Sequence, residues 1–320
     1  MPHLLIAGKL HPAGLALLEN DDGFTYDYVE EISEASYAPL IGKADALVIR
    51  TQPLSAATIA RASLLKIVSR HGVGYDSVDV AALNNRRIPL CIVGDVNSLS
   101  VAEHAIMLIL ACAKQVIRAD RAVRSGPWGW RNRLEAGEIS GKRLLIIGYG
   151  RSGRHLARMA DGFGMEVRAF DPLLVERGWP EESVKPVSAL ADGLAWADIV
   201  SVNVPKTGRP ILAAEEFSCL KPGAIIINTA RGGIVDEVAL ASALADGRVA
   251  AAGLDVFDDE PPAKDHPLLA FDQVVLTPHV AGLTQQAAER MAVSSVQNVI
   301  NFFAGCIDAD LIVNRDFRHD

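Results

Sequence analysis

The chain has 320 residues, half of them hydrophobic and only 6% aromatic, which suits two domains with large aliphatic cores rather than a disordered or fibrous chain. Its formal net charge of −8 argues against a nucleic-acid or anionic-membrane partner, yet leaves a small anionic substrate open, because a local basic site overrides a weak global field. The four cysteines, Cys91, Cys112, Cys219 and Cys306, form no CxxC pair and sit among apolar neighbours, as buried thiols of a reducing compartment do.

The N-terminus, Met1-Pro2-His3-Leu4-Leu5-Ile6, has no basic n-region and no long apolar h-region, so no signal peptide is expected. Strands are predicted over 4–7, 46–50, 67–70 and 89–93, with helices over 12–18, 56–61 and 78–84 between them. This pattern describes a small doubly wound unit without a glycine fingerprint of its own. A long helix is predicted from 100 to 124, stopped by Gly126-Pro127. Its most apolar part, 106–113, is too short to span a bilayer, so no membrane partner and a cytoplasmic location are expected.

A second unit begins near Gly141. Strands over 143–147, 166–170, 199–204, 224–228, 251–255 and 274–277 alternate with helices over 154–163, 213–220 and 237–245. That makes at least six strands of one parallel sheet. A last helix, 283–304, has no following strand and is expected to cross back to the first unit. The predicted fold is α/β, with two doubly wound parallel-sheet domains. Residues 99–285 form a Rossmann dinucleotide domain inserted into a flavodoxin-like substrate domain, 1–98 plus 286–320. The default ligand site is the cleft between them. The chain ends soon after the last helix, so no C-terminal regulatory extension is expected.

The run Gly148-Tyr149-Gly150-Arg151-Ser152-Gly153 joins the 143–147 strand to the next helix. Asp171 ends the following strand, completing the βαβ fingerprint for a dinucleotide. Gly148 allows the tight turn, Gly150 lets backbone approach a pyrophosphate, and Gly153 lets helix pack on strand. The pyrophosphate meets the N–H groups of the helix start, at Arg151 and Ser152. Asp171 accepts ribose hydroxyl hydrogens and repels a 2′-phosphate, and Pro172 follows where a basic residue would receive one. The cofactor expected is NAD.

Three further segments stand at predicted strand ends, where ligands bind in such sheets. They are Asn228-Thr229-Ala230-Arg231-Gly232-Gly233, Gly253-Leu254-Asp255-Val256-Phe257-Asp258-Asp259-Glu260 and Thr277-Pro278-His279-Val280-Ala281-Gly282. They bring an arginine, a glutamate and a histidine to one sheet edge. This set suits hydride transfer at C2 of a 2-hydroxy acid. His279 is the natural acid and base, since its intrinsic pKa is near neutral. Glu260 orients its imidazole, and Arg231 grips the substrate carboxylate and polarises the carbonyl. No His/Cys/Asp/Glu cluster has metal-ligand spacing, so no metal is expected, and no GxSxG elbow supports a serine nucleophile.

Together with the fingerprint, these segments resemble the D-isomer-specific 2-hydroxyacid dehydrogenase family, which includes phosphoglycerate, glycerate and hydroxypyruvate dehydrogenases. The resemblance covers essentially the whole chain. It implies Arg231, Glu260 and His279 as the catalytic set. It places Asp255 near the nicotinamide carboxamide and lines the cofactor with Val204, Pro205, Thr229, Ala230 and Gly282. In the N-terminal half, Arg70-His71-Gly72-Val73-Gly74-Tyr75-Asp76 resembles the family's substrate loop, where the small residues Gly72, Val73 and Gly74 present N–H groups to a carboxylate. Asn97 resembles an inter-domain hinge residue near the substrate, and Arg50 follows a strand where members place a substrate contact. His71 is open between a packed histidine and a reader, with Arg50, of a distal polar or anionic group. His104, inside the long helix, reads as structural. Asn203 and Pro210 depart from the common family residues, histidine and threonine.

The resemblance further implies a homodimer and a small anionic 2-hydroxy or 2-keto acid as substrate. The substrate's side chain and the direction of the reaction are not set by these residues. Two other readings stay open: an oxidation of formate or phosphite on the same scaffold, and a non-catalytic NAD(H)-sensing protein.

Overall fold

The computed structural model describes residues 1–20, 22–180 and 184–314. Residues 315–320, which sequence assigns to the first domain, lie outside the described residues. The chain divides into two compact units, Met1–Asn97 with Leu283–Asp320, and Ser98–Gly282.

The first unit runs β1 (His3–Ala7), α1 (Pro12–Glu19), β2 (Thr25–Val29), α2 (Glu34–Tyr37), β3 (Ala46–Ile49), α3 (Ala56–Arg61), β4 (Ile67–Arg70), α4 (Val80–Asn85) and β5 (Leu90–Cys91). The strands form one sheet in the order β2-β1-β3-β4-β5, every pair parallel. β3 reads Ala-Leu-Val-Ile and buries all four residues, as a parallel strand covered on both faces must. Alternation then sorts the side chains. Leu5, Leu47, Ile49 and Val68 pack under Tyr37, Ile59 and Leu83, while Leu4, Ile6, Val48 and Ile67 face the other way. Each fully buried Leu, Ile or Val contributes about 1.5–3 kcal/mol relative to exposure.

β2, Thr-Tyr-Asp-Tyr-Val, escapes the sequence pattern because it is an edge strand with no fully buried residue. It is held by the full parallel register His3↔Thr25 to Ala7↔Val29.

The second unit runs α5 (Ser98–Ala113), α6 (Val116–Ser125), β6 (Arg143–Ile147), α7 (Arg151–Gly162), β7 (Glu166–Phe170), α8 (Pro172–Arg177), β8 (Lys185–Pro186), α9 (Leu190–Trp196), β9 (Ile199–Val202), α10 (Ala214–Ser218), β10 (Ala224–Asn228), α11 (Glu237–Ala245), β11 (Val249–Leu254) and β12 (Val274–Leu276). Its sheet has seven parallel strands in the order β12-β11-β10-β9-β6-β7-β8. Leu144 and Ile146 face α5 and α7, and Leu145 and Ile147 face α9, α10 and α11.

The single helix expected over 100–124 is instead two helices bent by 57°. Gln115 takes a left-handed φ of 56° between them. The Ala113 carbonyl accepts from Gly137 N–H at 2.8 Å rather than from the next helical turn. The break falls where a helix buried along most of its length gives way to a charged one, a change that tertiary packing makes and local propensity does not. Among the described residues no single helix is long and apolar enough to cross a membrane.

After β12 the chain returns to the first unit as α12 (Gln285–Phe303), capped by the Thr284 side chain accepting from Ala287 N–H at 3.1 Å. Ala292, Val296 and Val299 close the apolar face left by Leu4, Ile6 and Val48.

Each sheet reverses its winding once, between β1 and β3 in the first unit and between β6 and β9 in the second. Ligands of open parallel sheets bind at the carboxyl ends of the strands around such points.

Candidate active site

The segments that follow β9, β10, β11 and β12 lie side by side, because those four strands are consecutive neighbours in the sheet. The glycine loop after β6 adjoins the segment after β9. Gly148 has φ +90°, and a Cβ there would stand 2.5 Å from the Asn203 carbonyl oxygen and 2.7 Å from Val204 Cγ1. A side chain at Gly153 would strike the Gly148 carbonyl. A Cβ at Gly150 would meet nothing within 4 Å, so this glycine leaves open space that no internal packing requires. It is the N-cap of α7, which begins at Arg151 with no side-chain cap. An uncapped helix start beside open space fits a pyrophosphate.

Tyr149 is buried, and its ring stacks on Trp179 with centroids 5.1 Å apart. Its N–H donates to Asp171 Oδ2 at 2.9 Å, and Leu174 N–H donates to Asp171 Oδ1 at 3.0 Å. Each oxygen keeps acceptor capacity, so Asp171 is fixed in place yet open to ribose hydroxyls. Thr229 is buried at the end of β10, and its Oγ1 has no partner among the described residues.

Arg231 is presented by a stapled turn. Asn228 Nδ2 donates to the Arg231 carbonyl at 3.0 Å, and Asn228 Oδ1 accepts from Ala230 N–H at 3.0 Å. Gly232 then lies so close to the Phe257 carbonyl that any Cβ would collide with it. Gly233 N–H donates to Asp258 Oδ1. Glu237 Oε1 accepts from Asp258 N–H at 3.0 Å, and its Oε2 meets His266 Nε2 at 2.9 Å. The Arg231 segment and the segment leading to Glu260 are therefore locked together.

His279 Nδ1 lies 2.7 Å from Glu260 Oε2. Glu260 Oε1 accepts from Phe257 N–H at 3.1 Å, which orients the carboxylate. His279 itself has φ +54°, a left-handed conformation uncommon for a residue with a side chain. Asp255, fully buried, holds that turn. Its Oδ1 accepts from Thr277 Oγ1–H at 2.6 Å and Val280 N–H at 2.9 Å, and its Oδ2 from Ala281 N–H at 2.8 Å. The Asp255 carbonyl accepts from His279 N–H at 2.8 Å.

The supporting residues Asn228, Glu237, Asp258, His266 and Thr277 escape sequence reasoning. Asn228 offers a local signal, the turn-forming Asn two residues before an amide it binds. The others act across 21 or more residues, as Asp258 with Glu237 shows.

In the first unit, Arg50 follows β3 and His71 follows β4. Arg70 Nη1 donates to the carbonyls of Ile49 at 3.2 Å and His71 at 3.1 Å, pinning the start of the Gly72-Val73-Gly74 loop. His71 is buried, and its Nε2 has no partner among the described residues. Burial first, then the charges of Arg50 and Arg70, lower its pKa to about 4. Asn97 is the last residue of the unit before α5.

The family model described as "D-isomer specific 2-hydroxyacid dehydrogenase, NAD binding domain" matches residues 106–281. The chain belongs to the D-isomer-specific 2-hydroxyacid dehydrogenase family. Members bind NAD or NADP and are oxidoreductases. D-3-phosphoglycerate dehydrogenase of Archaeoglobus fulgidus is 39% identical over 83% of this chain and 50% of its own. The chain thus spans about half the length of the phosphoglycerate dehydrogenases it matches. Glyoxylate reductase of Korarchaeum cryptofilum is 35% identical, covering 97% of this chain and 96% of that one. Among solved structures, the NADPH-dependent glyoxylate/hydroxypyruvate reductase of Sinorhizobium meliloti in complex with citrate has a TM-score of 0.86 at 29% identity, with all of both chains covered.

The buried His71 makes a stability prediction. Its pKa of about 4 lies below the usual 6.5, so the unfolded chain binds the extra proton between those values. Stability is full above pH 6.5 and falls as pH drops toward 4. About 2 kcal/mol of the neutral-pH stability should be lost to this group by pH 5. Urea unfolding of wild type and His71→Gln at pH 7 and pH 5 checks it: the variant should lose less stability on acidification by about that amount.

Proposed function

We propose that the protein interconverts a small anionic D-2-hydroxy acid and its 2-keto acid, with NAD as cofactor. The observation that carries this reading is the 2.7 Å contact between His279 and Glu260 on the sheet edge that also presents Arg231. When bound, the nicotinamide supplies or accepts the hydride. The proposed cofactor contacts are the Gly148, Gly150 and Gly153 backbone, the N–H groups of Arg151 and Ser152, Asp171 for the ribose, and Val204, Pro205, Thr229, Ala230 and Gly282 along the edge. Asp255 stands near the carboxamide in this reading, its fully buried carboxylate engaged by the His279 turn rather than by the cofactor.

Glu260 takes the Nδ1 side of His279, so Nε2 is the nitrogen that removes the substrate hydroxyl proton in oxidation and returns it in reduction. The carboxylate beside the ring stabilises the imidazolium formed in between. Arg231 holds the substrate carboxylate with a planar fork, and its charge favours the developing alkoxide. In the first unit the proposal extends to Gly72, Val73 and Gly74 as backbone contacts for a carboxylate, and to Arg50, His71 and Asn97 as substrate contacts.

A homodimer is also proposed. Within one stretch of chain, Val123, Trp128 and Leu134 are 63%, 67% and 87% exposed, apolar side chains that a second copy would cover.

Loss of NADH absorbance against glyoxylate, hydroxypyruvate, pyruvate, phosphohydroxypyruvate and sulfopyruvate tests the reaction. Turnover is expected with at least one, and His279→Ala should lower kcat by about 10²–10⁴-fold while NADH still binds. NADH binding without turnover of any 2-keto acid would refute the catalytic reading in favour of a sensor. Asp171→Ser should narrow the kcat/KM preference for NADH over NADPH by about tenfold or more, through loss of ribose hydrogen bonds and of repulsion toward a 2′-phosphate. An unchanged ratio would remove Asp171 from cofactor choice. Light scattering should give twice the 34.2 kDa chain mass, reverting toward one copy in Trp128→Asp/Leu134→Asp.

A further inference from the structure

We infer that His104, on α5, is a positioning residue for the His279 turn, acting through Thr277 and Asp255. The inference rests on the catalytic role proposed for His279.

His104 sits on a helix that packs hard against the sheet. A Cβ at Gly253, on β11, would stand 2.8 Å from Leu108 Cβ and 3.0 Å from Ile227 Cδ1. The missing side chain therefore lets α5 approach β11 at Leu108. One turn earlier on the same helix face, His104 reaches the carboxyl ends of β11 and β12. Its side chain is 14% exposed, and its Nε2 lies 2.9 Å from Thr277 Oγ1 and 3.6 Å from Asp255 Oδ1.

The proton directions follow from counting donors. A threonine hydroxyl has one hydrogen, and Thr277 spends it on Asp255 Oδ1 at 2.6 Å. The 2.9 Å contact with His104 must then run from Nε2–H to Oγ1. The result is an ordered chain: the imidazole N–H donates to the hydroxyl oxygen, the hydroxyl O–H donates to the carboxylate, and the carboxylate accepts from the N–H groups of Val280 and Ala281. The Asp255 carbonyl takes the His279 N–H itself. Three consecutive amides of the turn thus hang on Asp255, whose carboxylate orientation is set from behind by Thr277 and His104. A half-buried helix residue 173 positions from Thr277 in sequence holds the far end of this chain.

The test compares His104→Leu, which removes the donor, with His104→Gln, whose amide N–H reaches a similar position. Thr277→Val, Thr277→Ser and the double variant His104→Leu/Thr277→Val complete the set. The readouts are kcat and KM on whichever 2-keto acid the wild type turns over, and hydrogen exchange of the Val280 and Ala281 amides. His104→Leu should lower kcat by about tenfold, with KM within about twofold. His104→Gln and Thr277→Ser should each keep most of the wild-type kcat. The double variant should be no slower than the worse single variant, because both cut one chain. Exchange at Val280 and Ala281 should quicken about tenfold in His104→Leu and Thr277→Val, and not in His104→Gln. The inference is overturned if His104→Leu keeps kcat within twofold, if His104→Gln is as slow as His104→Leu, or if the two single losses multiply in the double variant. Should the wild type bind NADH without turning over any keto acid, the parent reading fails. The amide exchange then decides the linkage by itself: unchanged rates in His104→Leu reject it.

Discussion

A fully buried carboxylate, Asp255, is the constraint on which the candidate active site depends. A carboxylate away from water is tolerated only with its lone pairs occupied. Here the partners come from one place, the hydroxyl of Thr277 and the N–H groups of Val280 and Ala281. Satisfying the charge therefore forces the chain after β12 into a tight turn over the end of β11. His279 is carried through that turn at φ +54°, a conformation that costs a residue with a Cβ about 1–3 kcal/mol and persists where its surroundings over-determine it. The turn sets the direction of the His279 Cα–Cβ bond, and Glu260 meets the imidazole at 2.7 Å.

The neighbouring segments are held by the same kind of mutual closure. Gly232 lies against the Phe257 carbonyl with no room for a side chain. Asp258 is gripped from two directions, its carboxylate by Gly233 N–H and its own N–H by Glu237. Glu237 in turn reaches His266. The segments that carry Arg231 and Glu260 therefore hold each other in place. A parallel sheet makes this economy natural, because adjacent strands end at the same edge and their following loops run side by side. It also explains how a chain of net charge −8 presents a local cation: Arg231 is fixed by its own turn, independent of the global field.

Much of this architecture was legible because its chemistry is local. The glycines 148, 150 and 153 and Asp171 each do something a short stretch of chain can specify, and the aliphatic runs of β3 and β6 announce strands buried on both faces. Arg231, Glu260 and His279 were visible as reactive side chains after strands. β2 was not visible, because an edge strand of alternating tyrosines carries no buried run. The bend at Gln115 was not visible either. The donor that takes up the Ala113 carbonyl is the N–H of Gly137, far along the chain, and no short stretch of sequence announces it.

Sequence alone determined the class of fold, the dinucleotide fingerprint and the list of side chains able to carry acid–base and carboxylate chemistry. Those properties follow from residue type, period and short spacing. Tertiary structure decided what sits behind them. It interlocked Gly232 and Phe257, and joined His104 to Thr277 and Asp255 beneath the His279 turn. It also left His71 buried beside two arginines, with a pKa no composition would announce. The physical reason is common to all of these. Burial and hydrogen-bond satisfaction are properties of a folded neighbourhood, and the partners that meet them are drawn from strands and helices that only the sheet order brings together.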